Sequence, residues 1–253
     1  MNDHLKSNRG LILSRALLAG AAGMLPVPYL DDLLAGAVRS ALIRRLATLR
    51  SVDLDANAVE ELAHPRGSRI LGAATMGAIA LGGTKRVFRK VAASLLIVRR
   101  VDEAVQTFQI GTLFDHYCAK HHTGLGVDGK RAVVVRHSMD LATKKSRSDT
   151  LERAFKNALR ASSELAMKLP RGALSFWSRT RGGPIPADPA EKIGGGLEER
   201  LDAAADTGFV KRAVQGVEAE LAADGSGWIG GLVGAFDDAL KVATALVPPD
   251  STA

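Results

Sequence analysis

Apolar positions along the chain recur at the three- and four-residue spacing of amphipathic helices. From Leu30, the positions Leu34, Ala37, Val38, Ala41, Leu42 and Leu46 share one face, while Arg39, Arg44 and Arg45 fall between them. That is the pattern of a helix burying a single stripe. Pro26 and Pro28 precede it, and Asp31 and Asp32 fall in its first turn, where the positive end of the helix dipole favours carboxylates. Residues 9–24 therefore form a separate helix ahead of a proline-containing turn. Asp55 predicts an N-cap for a short helix reaching His64, with Pro65 and Gly67 as the stop. Ser68 opens a glycine- and alanine-rich helix. Each interior glycine there costs about 1 kcal/mol relative to alanine unless close packing offsets it, which places that helix centrally. Val101, Val105, Phe108, Thr112 and Asp115 mark a further helix ending near His122.

The second half continues in the same style. Residues 132–135 are β-branched, but no alternating run lies nearby to pair with them, so the pattern predicts a helix continuing to Lys144. Asp149 and Glu152 read as a capping box ahead of Leu151, Phe155 and Leu159, and Pro170 ends that helix. Residues 171–196 hold RGGPIP and three consecutive glycines, which predicts a linker. Two amphipathic helices follow, over 197–223 and 228–246. The fold class expected is all-α, with essentially no sheet: a multi-helix bundle over 9–169, a linker over 170–196 and an amphipathic helical tail over 197–247.

Composition narrows this picture. Hydrophobic residues make up 46% of the 253 positions, too many for a disordered chain. Aromatics at 4% leave alanine, leucine and valine to fill a core of closely packed helices. One cysteine, Cys118, excludes an internal disulfide framework and any multi-cysteine zinc module. Charge is uneven. Residues 1–129 carry 16 basic and 11 acidic side chains, residues 130–181 carry 13 and 4, and residues 182–253 carry 5 and 12. A basic middle beside an acidic tail implies phosphate-bearing partners for the middle, or a tail that folds back upon it. Two uncharged stretches, 16–30 and 70–84, are 15 residues each. As helices they reach about 22 Å against the ~30 Å of a bilayer core. No signal-peptide cleavage site follows the first. The expectation is a cytoplasmic protein, peripheral at the inner membrane.

Candidate chemistry is sparse. The string from Gly124 to Lys130 matches GxxxxGK, but Arg131 stands where a phosphate loop needs Ser or Thr to ligate Mg²⁺, so an inter-helix turn is expected. Asp115, Cys118 and His122 sit at i, i+3 and i+7 on one helix face, with His116 and His121 close by. They are metal-ligand or nucleophile types without an identifiable orienting partner. The basic middle is the stronger candidate. Arg153, Lys156 and Arg160 occupy the polar side of their helix, and Phe176, Trp177, Arg179 and Arg181 follow. Rings beside arginines suit a membrane interface, with guanidinium groups on anionic headgroups. Nucleic acid is disfavoured, because no recognition motif accompanies the charge.

The segment GMLPVPYLD contains Gly23, Pro26, Pro28 and Asp31, and TFQIGTLFDHYC contains Gly111 and Tyr117. Together they resemble domain of unknown function family 697, over residues of about 9–125, departing from its pattern at residues 95–100. The EcsC-like group of membrane-associated bacterial proteins is similar in texture. The first resemblance implies an all-helical bacterial accessory module without catalytic residues or cofactor, bound to an anionic membrane surface or to a separate partner such as a GTPase. The alternative function is an enzyme or metal-binding protein using the Asp115/Cys118/His122 face.

Overall fold

The structure is a computed structural model that describes residues 4–22, 30–64, 85–124, 126–166, 189–223 and 227–246. Among these the chain forms ten helices and two strands of two residues each: α1 (His4–Ser7), α2 (Arg9–Ala22), α3 (Leu30–Leu49), β1 (Asp53–Leu54), α4 (Ala56–Ala63), α5 (Lys85–Lys120), β2 (Gly126–Val127), α6 (Gly129–Lys145), α7 (Asp149–Ala166), α8 (Pro189–Ala205), α9 (Gly208–Ala223) and α10 (Trp228–Leu246). The fold is all-α. The glycine- and alanine-rich helix predicted after Ser68 lies outside the described residues.

The helices begin and end for local reasons. Asp55 caps α4, its carboxylate accepting from the Ala58 amide at 2.5 Å. Asp128 caps α6 in the same way, accepting from the Arg131 amide at 2.7 Å. Residues 132–135 are helical, as their lack of a pairing partner implies. The cap of α7 differs from the expected capping box. Ser148 supplies it, its hydroxyl accepting from the Leu151 amide at 3.1 Å, and Asp149 is already the first helical residue. At the end of α3, the Val52 amide donates to the Ala47 carbonyl (2.9 Å) and the Ser51 amide to that of Thr48 (3.1 Å). This Schellman turn puts Ser51 at φ 55°, a left-handed conformation usually given to glycine. The turn leads into β1, whose Asp53 and Leu54 pair in parallel with Gly126 and Val127.

One continuous core joins the elements. Ile12, Leu13 and Leu17 of α2, Leu42, Ile43 and Leu46 of α3, and Phe108, Leu113 and Phe114 of α5 are buried together. Two glycines let these helices approach. A Cβ on Gly111 would lie 2.8 Å from Leu42 Cδ2 and 2.9 Å from Ile12 Cγ2, and one on Gly20 would lie 2.9 Å from the Arg100 carbonyl oxygen. The last two helices belong to the same core. Val217 and Leu221 of α9, with Leu232 and Phe236 of α10, are buried in it. α9 lies on α7, and α10 lies on α6. Trp228 stacks on Phe108 and donates from Nε1 to the Ser146 carbonyl at 3.0 Å. The predicted tail thus folds back on the basic middle, because its apolar stripes need cover. α8 starts at Pro189, inside the stretch predicted as linker; residues 170–188 lie outside the described residues. Its Leu201 packs with Ala19, Val38 and Ala41, and Asp202 pairs with the buried Arg15 at 2.5 Å.

Candidate functional site

Arg153, Lys156 and Arg160 are exposed on α7, opposite the buried Leu151, Ala154, Phe155, Ala158 and Leu159. Phe176, Trp177, Arg179 and Arg181 lie outside the described residues. A second exposed row runs along α6. Lys130, Val133, His137, Leu141, Lys144 and Lys145 follow helical spacing, and Val133 and Leu141 are 37% and 44% exposed. Arg147 is exposed just beyond. This row mixes cations with bare aliphatic side chains. In the sequence this row is masked by the β-branched run over 132–135, whose apolar character does not show which of its residues face outward.

Of the positions that carried the family resemblance, Gly23, Pro26 and Pro28 lie outside the described residues and Asp31 falls in the first turn of α3. Gly111 serves close packing, as described above. Tyr117 is buried, its hydroxyl accepting from Arg131 Nε at 3.2 Å.

Asp115 and Cys118 share α5, but the helix ends at Lys120 and His122 lies beyond it, so the single helix face expected of the three does not form and their chemistry is not joined. Asp115 is fully buried and accepts two hydrogen bonds from Arg50, at 2.8 and 2.9 Å, and one from Asn8 Nδ2 at 2.7 Å. The Asp115 carboxylate is committed to that pair, which raises the Arg50 pKa. Cys118 is buried, and burial, reinforced by the Asp115 charge, pushes its thiol up to about 12. Such a thiol is no nucleophile at neutral pH. The Nε2 of His122 is buried without a hydrogen-bond partner.

The neighbouring histidines are assembled instead. His116, fully buried on α5, places Nδ1 3.0 Å from His4 Nε2 of α1 and Nε2 2.8 Å from Asp237 Oδ1 of α10. His121 Nε2 lies 2.8 Å from the same Oδ1. Phe236 packs edge-on against both rings, with centroids 6.2 Å away in each case. His121 and Asp237 are 31% and 35% exposed, so the cluster opens to solvent on their side. Burial lowers the pKa of His4 and of His116 and so favours neutral rings. For Asp237, burial pushes upward, but the bonds from His116 and His121 outweigh it and the net shift is downward. Arg50 also donates to the His4 carbonyl at 3.0 Å, so the Schellman turn of α3 holds α1 in place beside His116. The spacing of His116 and His121 was visible in the sequence. Asp237 and His4 were not, since the only hint was an aspartate off the apolar stripe of α10.

Among the described residues no helix is long and apolar enough to cross a membrane. No protein-family profile, curated protein or solved structure matches the chain.

Proposed function

We propose that the protein is a non-enzymatic helical accessory module that docks on an anionic membrane surface through its basic middle segment, of the kind implied by the resemblance to domain of unknown function family 697. The observation that carries this reading is the α6 row, in which Val133 and Leu141 stand exposed among Lys130, His137, Lys144 and Lys145. Apolar side chains flanked by cations match the headgroup layer. The aliphatic groups enter the acyl boundary while each basic residue near the surface gains ~1 kcal/mol from anionic lipid. Arg147 in the connection after α6, with Arg153, Lys156 and Arg160 on α7, enlarges the positive field. Helices of the bundle that do not span a bilayer can still serve such peripheral contact.

Co-sedimentation of the full chain with vesicles tests the reading. Binding is expected to phosphatidylglycerol-containing vesicles and not to phosphatidylcholine alone, weakening as salt shortens the Debye length. Lys144→Glu with Lys145→Glu should abolish it, and Leu141→Ser should weaken it with helicity unchanged. Absence of binding to anionic vesicles overturns membrane docking and favours a soluble protein partner such as a GTPase.

A further inference from the structure

We propose that His116, His121 and Asp237 form a binding site for a divalent transition-metal ion of the zinc class, clamping the end of α5 to α10. Three donor atoms converge from α5, the turn just after it and α10: His116 Nε2, His121 Nε2 and an Asp237 carboxylate oxygen lie within 4.8 Å of one another. Two imidazoles with one carboxylate are a ligand set for Zn²⁺ and its neighbours, whereas Mg²⁺ and Ca²⁺ select all-oxygen shells. Both rings direct the same nitrogen, Nε2, at one oxygen, each at 2.8 Å. Donor atoms around a tetrahedral zinc ion stand about 3.3 Å apart, so the two nitrogen-to-oxygen separations of 2.8 Å must open by about half an ångström, while the two nitrogens already lie within 4.8 Å of each other. His121 and Asp237 have room to spread, being partly exposed.

The supporting contacts also fit. A ligating histidine needs its second nitrogen held, and His116 Nδ1 faces His4 Nε2 at 3.0 Å. In the metal-bound form each ring keeps one proton, carried on Nδ1. The His116 Nδ1–H then donates to His4 Nε2. His4 is itself placed by the Arg50 bond to its carbonyl oxygen. Phe236 packs edge-on against the two ligand rings. Three protein donors leave a tetrahedral ion one position for water or an exogenous ligand, and the partly exposed His121 and Asp237 give solvent access to the cluster. This site is independent of where the basic face docks.

Isothermal titration of the chelator-treated full chain with Zn²⁺ decides the matter, with Co²⁺ absorption as a readout of the ligand field. The expected result is saturable binding of one ion per chain and a tetrahedral Co²⁺ spectrum. His121→Ala and Asp237→Asn should each weaken binding more than about tenfold, the smallest loss typical even of an outer supporting residue, and His4→Gln by about tenfold. His122→Ala should leave affinity unchanged. Because His116 is buried and its variants risk misfolding, the partly exposed His121 and Asp237 carry the test, with circular dichroism confirming their fold. Absence of saturable Zn²⁺ binding, binding retained in both His121→Ala and Asp237→Asn, or equal affinity for Mg²⁺ each overturns the site and leaves the cluster as a hydrogen-bonded contact.

Discussion

Two of the polar clusters among the described residues are built for different ends. At the C-terminus of α4, Arg39 donates from Nε to the Ala63 carbonyl at 2.9 Å and pairs with Glu103, while Arg136 donates from Nη1 to the Leu62 carbonyl at 2.8 Å and pairs with Asp140 at 3.0 Å. Both arginines are almost wholly buried. Their charge is permanent, and it is directed at the negative end of a helix dipole. Burial lowers the Arg136 pKa without discharging a guanidinium. At the far end of α5, His116, His121 and Asp237 present groups of the kind that ligate a metal, and two of them, His121 and Asp237, reach solvent. A fixed cation on helix carbonyls ties elements together. Exchangeable donors converging at a solvent opening can take a ligand. Asp115 with Arg50 sits beside the second cluster but belongs in kind to the first, since its carboxylate is fully buried and its bonds are all to protein.

The comparison breaks first at Arg136. If its role is structural, Arg136→Ala strips a buried cation from α4 and Asp140 and leaves a void, costing about 3–5 kcal/mol in urea unfolding. A loss under 1 kcal/mol would mean that the cluster is dispensable. Asp115→Asn is the next step. It keeps the shape but removes the charge that Arg50 faces, and Arg50 is itself partly exposed and can rehydrate, so about 2 kcal/mol is expected by thermal or urea denaturation. If Asp115→Asn leaves stability unchanged yet abolishes metal binding, Asp115 belongs with the histidines after all. The smallest effect is at Asp102, next to Glu103. Asp102 is exposed, but desolvation by the helices around it, with Glu152 and Glu103 nearby, raises its carboxyl pKa. A raised acid pKa means that the folded state is penalised while Asp102 is charged. Asp102→Asn should therefore stabilise the protein at neutral pH, by less than about 1 kcal/mol after solvent screening. The gain should vanish as pH falls below the ordinary carboxylate range, where both forms are neutral. Denaturation midpoints measured across that range check the sign.

Much of the helical content was legible because its causes are local. The cap at Asp55, the stripe from Ala37 to Leu46 and the helical course of residues 132–135 each depend on neighbours within one or two turns. The cap of α7 was misassigned by a single residue, since Ser148 and Asp149 are both good capping types and only backbone geometry separates them. The basic residues of α7 were placed on an outward face because Leu151, Phe155 and Leu159 define its inward one. Tertiary structure alone decided the rest. That α9 and α10 complete the main core follows from Val217, Leu221 and Phe236 finding cover on α6 and α7, which no local pattern specifies. His116 meets Asp237 across 121 residues and His4 across 112. Side chains so far apart in sequence leave no periodic trace, because their meeting depends on how whole helices pack. The sequence by itself therefore determined which segments are helices and which faces they bury, and packing decided which histidines share a carboxylate.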